Sequence, residues 1–584
     1  MAGLFLVHTR DPDAADAAIA KARSQFARHG FTNLREIAFP GWRLLHAPHI
    51  IGGPDNLFVN GEDFAAAAGT LTWDDRLGRP ALEALLGSLS LPSPDWSRLG
   101  GQFVLVVRRQ GRTFLLTDYF ATFQLFHDEA LGLFSTSLLA AVEARPSVSF
   151  DPQGVYELAF NVMPTGDDTI FNELKMLGPN RVVELTAEGA VLHSVEKPLP
   201  ERAVTMPVAE RLDRHRERLS AVVGRHARHF GERIFCPLSG GLDSRLVLAA
   251  LRAEGSRPRT FVYGGSESGD VRIAREIGAA QGFEVEWVDK DAAREVTPDE
   301  FPEIVERNFQ QYDGLPNYGE LFENGANADS RDARHAGGAL SASGGCGEIY
   351  RNFFFLPNLP VTADAVARTF FARYAPGDMT EAFDERRFLR SIEDKILAAL
   401  GRPGERSRLP RALVEQAYPR VRCRAVFGRE VSLENRYGPY LMPFLDQHVV
   451  AEAMTLPLRL KNAGRFEAAL LNAIDPDLAR LPSVYGHDFA SPPALKHRFA
   501  EWSTRLRPIA LRQRSYALRR RLGPVADEHG GLLNPDSLGR VVDTDYPVMR
   551  RFFRVERIGD SGMMRRIANL EYFAQRLGSK LRSS

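Results

Sequence analysis

The sequence predicts two domains of different class, a strand-rich α+β domain followed by an α/β domain built on a parallel sheet. Residues 1–203 carry mainly strand-like patterns, and two apolar stretches there, 102–108 and 112–118, flank a glycine-containing turn typical of a hairpin. Residues 204–584 alternate strand-like and helical patterns, which favours parallel strands joined by helices. A chain of 584 residues is also too long for a single hydrophobic core.

Composition and charge exclude several classes of protein. Hydrophobic residues make up 44% of the chain and charged residues 25%, as in ordinary soluble globular proteins. Basic and acidic residues balance at 74 each, so the net charge does not attract nucleic acid or membranes. The first residues lack the basic stretch of a signal peptide. No apolar run approaches the roughly 20 residues that span a bilayer. Three cysteines are too few for a disulfide framework. We therefore expect a cytoplasmic protein with no membrane span and no nucleic-acid partner.

The segment 234–251 reads as a buried strand, a glycine turn and an amphipathic helix in immediate succession. The turn is Ser-Gly-Gly-Leu-Asp-Ser at 239–244, and two glycines before a helix allow backbone amides to converge on an anion. Asp243 would repel a phosphate unless a hard cation lay between them, which favours magnesium-bound polyphosphate. The alternative is a tight helix-capping turn without a ligand.

This turn after a buried strand resembles the PP-loop of ATP pyrophosphatases, and specifically that of the asparagine synthetase family. The resemblance implies an enzyme that adenylates a carboxylate with ATP and lets an amine displace AMP. Asp243 would then help to bind Mg²⁺. The resemblance assigns ATP binding to Leu238, Ser239, Gly240, Gly241, Leu242, Asp243 and Ser244.

The first domain resembles the glutamine amidotransferase domain of the same family, in short patches that occur in the family's order: 60–62, 99–103, 116–118 with 124–126, and 169–171 with 177–179. The resemblance implies an Ntn-type β-sandwich, a class II glutamine amidotransferase fold. The family's glutaminase uses a cysteine at the mature N-terminus, whereas Ala2 stands here and the first cysteine is Cys236. We therefore interpret the domain as a degenerate glutaminase that remains as a scaffold, with Asn60 and Glu62 as turn residues.

Two further strands, 259–264 and 283–288, predict a parallel βαβαβ unit, with Asp270 as the N-cap of the helix between them. The first of these strands resembles the one that contacts adenine in the family. This similarity places Val262 either beside the base or in the core of the sheet.

The stretch 343–351 is similar to the family's second acidic loop and is predicted to turn into a helix. The resemblance makes Glu348 the second magnesium ligand and lets the backbone at Gly344 approach ATP. A flexible loop without a ligand is the alternative. In β-lactam synthetases a tyrosine stands where this chain has Gly345, which speaks against a β-lactam-forming enzyme.

Two later segments resemble family motifs with departures. Glu434-Asn-Arg436 and Pro443-Phe-Leu-Asp446 match ExR and PFLD, with 437–442 as an insertion between them. Arg436 is a candidate carboxylate or phosphate clamp, or a surface or capping arginine, and Asp446 is a helix N-cap.

The family's catalytic lysine has no counterpart in 481–489. His487 is the candidate replacement, or Lys496 or Lys461 reaching in from elsewhere, although a loop histidine is as readily structural. Basic residues outnumber acidic ones two to one in 497–584, which predicts either solvated helix faces or a docking surface for an acidic peptide, a partner or phosphates.

These features predict an ATP-dependent, magnesium-requiring ligase that forms an amide from a small-molecule or peptide carboxylate, without glutaminase activity. Lasso-peptide cyclases are the subtype that the layout resembles, and this would add a precursor peptide and a leader protease as partners. The alternatives are an ammonia-dependent enzyme that amidates a sugar acid or another small carboxylate, and a non-catalytic ATP-binding homologue.

Overall fold

The computed structural model of the protein describes residues 3–289, 296–522 and 535–582, so Ala2 lies outside the described residues. The first half contains thirteen strands: β1 (Gly3–His8), β2 (Arg35–Phe39), β3 (Trp42–Ala47), β4 (Leu57–Asn60), β5 (Asp63–Trp73), β6 (Arg76–Leu77), β7 (Leu99–Arg109), β8 (Arg112–Thr117), β9 (Phe126–Asp128), β10 (Leu133–Ser135), β11 (Leu174–Met176), β12 (Arg181–Thr186) and β13 (Gly189–Ser194). Its helices are α1 (Pro12–Arg28), α2 (Arg79–Ser88), α3 (Leu138–Ala144) and α4 (Pro152–Asn161).

These strands form two antiparallel sheets that pack face to face. One has the order β11-β9-β10-β1-β3-β2, and the other has the order β13-β12-β8-β7-β5-β4, with β6 beside β5. Apolar side chains of both sheets meet between them. For example, the ring centroids of Phe39 in β2 and Phe64 in β5 lie 5.8 Å apart. The predicted β-sandwich and the β7–β8 hairpin are confirmed. The short helices α2, α3 and α4 were not predicted, because they are too short to establish a clear period.

The second half is built on a parallel sheet of five strands: β14 (Ile234–Pro237), β15 (Arg259–Tyr263), β16 (Val285–Val288), β17 (Leu340–Ala342) and β18 (Tyr440–Leu441). Their order is β16-β15-β14-β17-β18, and each neighbouring pair is parallel. The predicted parallel βαβαβ unit is therefore confirmed, and the stretch 437–442, interpreted as an insertion, contains the fifth strand.

Seventeen helices of the described residues accompany this sheet: α5 (Val208–Phe230), α6 (Asp243–Ala253), α7 (Gly269–Gln281), α8 (Phe301–Gln311), α9 (Ala326–His335), α10 (Ala363–Val366), α11 (Glu385–Ala399), α12 (Arg411–Glu415), α13 (Gly428–Tyr437), α14 (Gln447–Met454), α15 (Leu458–Lys461), α16 (Arg465–Ile474), α17 (Pro476–Ala479), α18 (Leu495–Leu506), α19 (Ile509–Leu522), α20 (Pro535–Leu538) and α21 (Ser561–Leu577). Asp446 caps α14 as predicted, since its carboxylate accepts from the amide of His448 at 2.9 Å. None of the helices in the described ranges is long and apolar enough to cross a membrane.

A buried carboxylate joins the two halves. Asp313 is fully buried, caps α3 through the amides of Leu138 and Leu139, and pairs with Arg436 at 2.7 Å. Burial alone would raise the pKa of the Asp313 carboxyl, but Arg436, His29 and Arg429 hold it well below its usual range. The carboxylate is thus charged in a dry site and is tied to both halves.

The C-terminal helix α21 strengthens this junction. Its residues Ile567, Leu570 and Phe573 are fully buried, and the Phe573 ring lies 5.4 Å from that of Phe171 in the first half. The expectation that helices of the basic C-terminal region expose solvated faces is therefore wrong for α21, because its apolar stripe fills the junction.

We predict that Asp313→Asn lowers the free energy of unfolding by about 3–5 kcal/mol, because it leaves buried arginines without their counter-charge. Urea unfolding followed by circular dichroism measures this. The matched control is Asp16→Asn, which removes an exposed partner of Arg43 and is expected to cost less than about 1 kcal/mol. Equal costs for the two variants would contradict the role given to Asp313.

Candidate functional site

Two loops leave the parallel sheet side by side. β14 and β17 are neighbours, and the chain proceeds from β14 toward β16 on one side but from β17 toward β18 on the other. The order therefore reverses between β14 and β17, and ligands of open parallel sheets bind at the carboxyl ends of strands at such a point. The loops 238–244 and 343–350 begin there, so the two sequence-predicted loops are brought together.

The first loop closes on itself through its serines. The amide of Leu238 still donates to Phe261 O at 2.8 Å, which extends the β14–β15 pairing to the edge of the loop. The Ser239 amide donates to Ser244 Oγ at 3.0 Å, and the two serine hydroxyls lie 2.9 Å apart. Both serine side chains therefore hold the loop against the first turn of α6.

Side-chain oxygens also engage the glycine amides. Gly240 N donates to Asp270 Oδ1 at 2.7 Å, and Gly241 N donates to Ser239 Oγ at 3.2 Å. A carboxylate thus stands at one amide that was predicted to receive phosphate. Asp270 is not the N-cap of α7, because Ser268 fills that position.

The start of α6 remains as an anion-binding element. Leu242 precedes the helix, and no side chain caps its first turn. The first amides of α6 and the positive end of its dipole therefore have no capping side chain as acceptor. The amides that can bind an anion are therefore those of the segment 242–244, and not those of the two glycines as predicted.

Arg351 links this turn to a buried acid. Its guanidinium donates to Asp243 Oδ1 and, through Nε, to Glu467 Oε2 at 2.9 Å. Burial and the neighbouring Asp243 charge raise the pKa of Glu467, and Arg351 opposes that shift. Arg351 had been assigned no role from the sequence, although it closes the motif 343–351.

The second loop packs tightly on the first. A Cβ on Gly344 would lie 2.7 Å from Ser244 N, and one on Gly347 would lie 2.5 Å from the Asp243 carboxyl group. Gly344 is therefore needed for contact with α6, and the approach of its backbone to ATP stays a prediction. The loop leads only into a short 3₁₀ turn at Gly347–Tyr350, and not into a longer helix.

Glu348 lies in that short turn, and its Oε2 accepts a hydrogen bond from the Tyr418 hydroxyl at 2.5 Å. Burial, with Cys423 and Glu348 nearby, raises the pKa of Tyr418, so the tyrosine keeps its proton. Within the described ranges, no three His, Cys, Asp or Glu side chains group closely enough to hold a metal ion. Asp243 and Glu348 are thus two candidate ligands and not a closed metal site.

The segment predicted to carry the catalytic cation covers the first loop. Val484 N donates to Gly240 O at 3.1 Å, and a Cβ on Gly240 would lie 2.3 Å from Val484 Cγ1. The ring of His487 is oriented by Tyr485 O at 3.2 Å and lies 5.8 Å from that of His497. His487 also lines the neighbouring cavity, and its catalytic role stays a prediction.

A cavity of about 670 Å³ opens beside the two loops. Its lining combines ionisable groups, among them Glu348, Arg351 and Lys461, with a set of aromatic rings. Its aromatic lining residues are Phe353, Phe354, Phe355, Phe370, Tyr485 and Phe489. The arrangement can hold a large, partly apolar molecule with a reacting group near the loops.

The two lysines considered from the sequence lie in different environments. Lys461 lines the cavity, is almost fully buried and donates to Glu415 Oε2 at 3.3 Å. Burial lowers the pKa of Lys461, and Glu415 offsets this only in part. Lys496 is exposed on the first turn of α18 and does not line the cavity.

Two other predicted site residues lie elsewhere. Val262 is buried in β15 beside Trp287 of β16, in the sheet core, and is not among the cavity-lining residues. Arg436 holds Asp313 at the junction of the halves, so its interpretation as a substrate clamp is corrected: the carboxylate it binds belongs to the protein.

We predict that Gly344→Ala lowers the free energy of unfolding by about 1–3 kcal/mol, because the new methyl group meets the backbone of α6. Thermal unfolding measures the change. Gly265→Ala is the matched control, since no atom lies within 4 Å of its Cβ position, and it is expected to be neutral or slightly stabilising. A neutral Gly344→Ala would refute the close packing of the loops.

No family model and no curated protein matches the sequence. Among solved structures, one described as the allosteric regulatory enzyme of purine biosynthesis covers 51% of this chain and 76% of its own, at 12% identity and a TM-score of 0.24. Glutamine phosphoribosylpyrophosphate amidotransferase from B. subtilis, complexed with ADP and GMP, covers 50% and 81%, at 10% identity and a TM-score of 0.22. Similarity at this level assigns neither a fold nor an activity to this chain.

Proposed function

We propose that this protein is an ATP-dependent ligase that adenylates a carboxylate and forms an amide, with release of AMP and pyrophosphate and without glutaminase activity. The observation that carries the proposal is the meeting of two small-residue loops at the reversal of the parallel sheet, beside a cavity into which Glu348 and Arg351 project. An uncapped helix start supports binding of the ATP phosphates there.

The donor set fits magnesium that arrives with the nucleotide. Mg²⁺ in phosphate sites keeps one or two protein carboxylates and completes its shell with phosphate and water, and Asp243 and Glu348 supply two carboxylates. When bound, the ion would neutralise phosphate charge. Asp243 is already held by Arg351, so the guanidinium fixes the direction of the carboxylate.

In the proposed reaction, a substrate carboxylate oxygen forms a bond to the α-phosphorus of ATP, and the bond from that phosphorus to the bridging oxygen breaks as pyrophosphate leaves. An amine nitrogen then bonds to the acyl carbon while the bond to AMP breaks, and the nitrogen loses a proton. We assign the stabilising positive charge to Arg351, oriented by Asp243 and Glu467, and the proton released by the nitrogen passes to solvent water.

The cavity favours a peptide substrate over a sugar acid. Its volume of about 670 Å³ has room for a peptide segment, and its aromatic rings can pack against apolar peptide side chains. We therefore propose a peptide macrolactam synthetase of the lasso-peptide type, with a precursor peptide as the substrate. Amidation of a small carboxylate by ammonia is the second candidate, favoured by the ionisable lining residues Lys461 and Glu348.

We predict that ATP–pyrophosphate exchange, measured with peptides that carry Asp or Glu, falls by about 10²–10³-fold in Arg351→Met, because the transition state loses a preorganised charge. Asp243→Asn is expected to weaken exchange as well. The control is Arg480→Met, whose exposed side chain pairs only with the surface residue Asp477 within the described chain.

Exchange that is unchanged in both site variants would refute the assigned roles. If none of the carboxylates tested supports ATP–pyrophosphate exchange in the wild-type protein, the non-catalytic alternative is favoured. Release of glutamate from glutamine would contradict the absence of glutaminase activity.

A further inference from the structure

Helix α18 has two unlike faces. Its inner face lines the cavity through His497, Ala500 and Thr504. Its outer face carries apolar side chains at i, i+4, i+7 and i+11, the spacing of one helical stripe. These are Leu495, Phe499, Trp502 and Leu506, exposed by 79, 65, 49 and 60%. Large apolar side chains rarely lie this exposed together on one helix without a binding role.

A groove of about 280 Å³ runs along this stripe, between α18 and the turn 462–465. Its apolar wall is formed by Leu495, Phe499 and Trp502, and the rings of the last two lie 5.7 Å apart. Its charged lining residues are three arginines, Arg465, Arg498 and Arg505, and one acid, Glu501, whose pKa burial raises and the charges of Arg505 and Arg465 lower. The groove therefore combines an aromatic wall with several positive charges.

The arginines of the groove have unused capacity for acids. None of the three forms an ion pair within 4 Å with a residue that the structure describes. Arg505 Nε is buried and has no hydrogen-bond partner. The sequence 495–522 contains nine basic residues and a single acidic one, Glu501. A ligand that brings carboxylates would complete these groups.

We propose that this groove binds an acidic amphipathic peptide segment, whose apolar side chains contact Phe499 and Trp502 and whose carboxylates pair with Arg498 and Arg505. A ligand helix with apolar side chains at i, i+4 and i+7 is a common occupant of such grooves. The inference does not require the ligase activity, because it concerns binding outside the cavity.

Two other occupants fit less well. A membrane surface would not enter a concave groove, so it would not reach the groove-lining side of the arginines. A second copy of the chain would bring the same arginines against these, and like charges repel. Complementary charge therefore selects an acidic peptide.

The test uses the full-length protein without ATP and a tryptophan-free synthetic peptide that has leucines at helical i, i+4 and i+7 spacing and glutamates elsewhere. We expect the peptide to bind with a blue shift of tryptophan emission, and the shift to be lost in Trp502→Phe. The double variant Arg498→Glu/Arg505→Glu and the variant Phe499→Ser should each weaken binding by about tenfold or more. Arg10→Glu, in an exposed loop of the first half, is the control and should bind as wild type does.

Several results would overturn the proposal. A peptide with lysine in place of glutamate could bind equally well, or the arginine and Phe499 variants could keep the wild-type affinity. The protein could bind anionic phosphatidylglycerol vesicles but not the peptide. It could also form a concentration-dependent dimer that Phe499→Ser abolishes. Circular dichroism checks that the exposed-site variants remain folded. ATP–pyrophosphate exchange measured in parallel separates the two proposals, because peptide binding without exchange leaves the groove supported and the ligase refuted.

Discussion

The candidate site depends on one shared cation. Arg351 holds Asp243 at the start of α6 and Glu467 on α16, so three separate parts of the chain converge on a single guanidinium. Asp243 in turn leaves no space for a side chain at position 347. Because a buried carboxylate without a counter-charge is costly, the position of each group is fixed by the others. The geometry of both loops follows from this arrangement.

Local periodicity was enough to predict much of the fold. The buried strand 234–238, the glycine turn and the helix after it form a unit whose pattern is contained in adjacent residues, and the hairpin β7–β8 is equally local. The sandwich and the parallel sheet are confirmed, whereas the Ntn-type and PP-loop assignments remain predictions. β18 was missed because two residues carry no period, and its place in the sheet is set only by pairing with β17.

The site was less predictable because its contacts are distant in sequence. Nothing near Gly240 indicates that Asp270, thirty residues later, accepts its amide hydrogen bond. Arg436 was a plausible clamp by residue type, but its partner Asp313 comes from a separate helix end. Arg351 could have been suspected from its position three residues after Glu348, whereas the burial of Lys461 depends on the packing of α12 and α15.

The position of α21 also bears on how the chain folds during synthesis. Phe171 and Phe309 are both translated before α21, and the rings of both lie against that of Phe573. A Cβ on Gly314 would lie 2.1 Å from that same ring, so the fit is close. The Phe171 ring of the first half therefore stays without this cover until α21 has been made. Such a protein relies on late closure of its junction, and chaperones that shield this ring would favour the native state over aggregation.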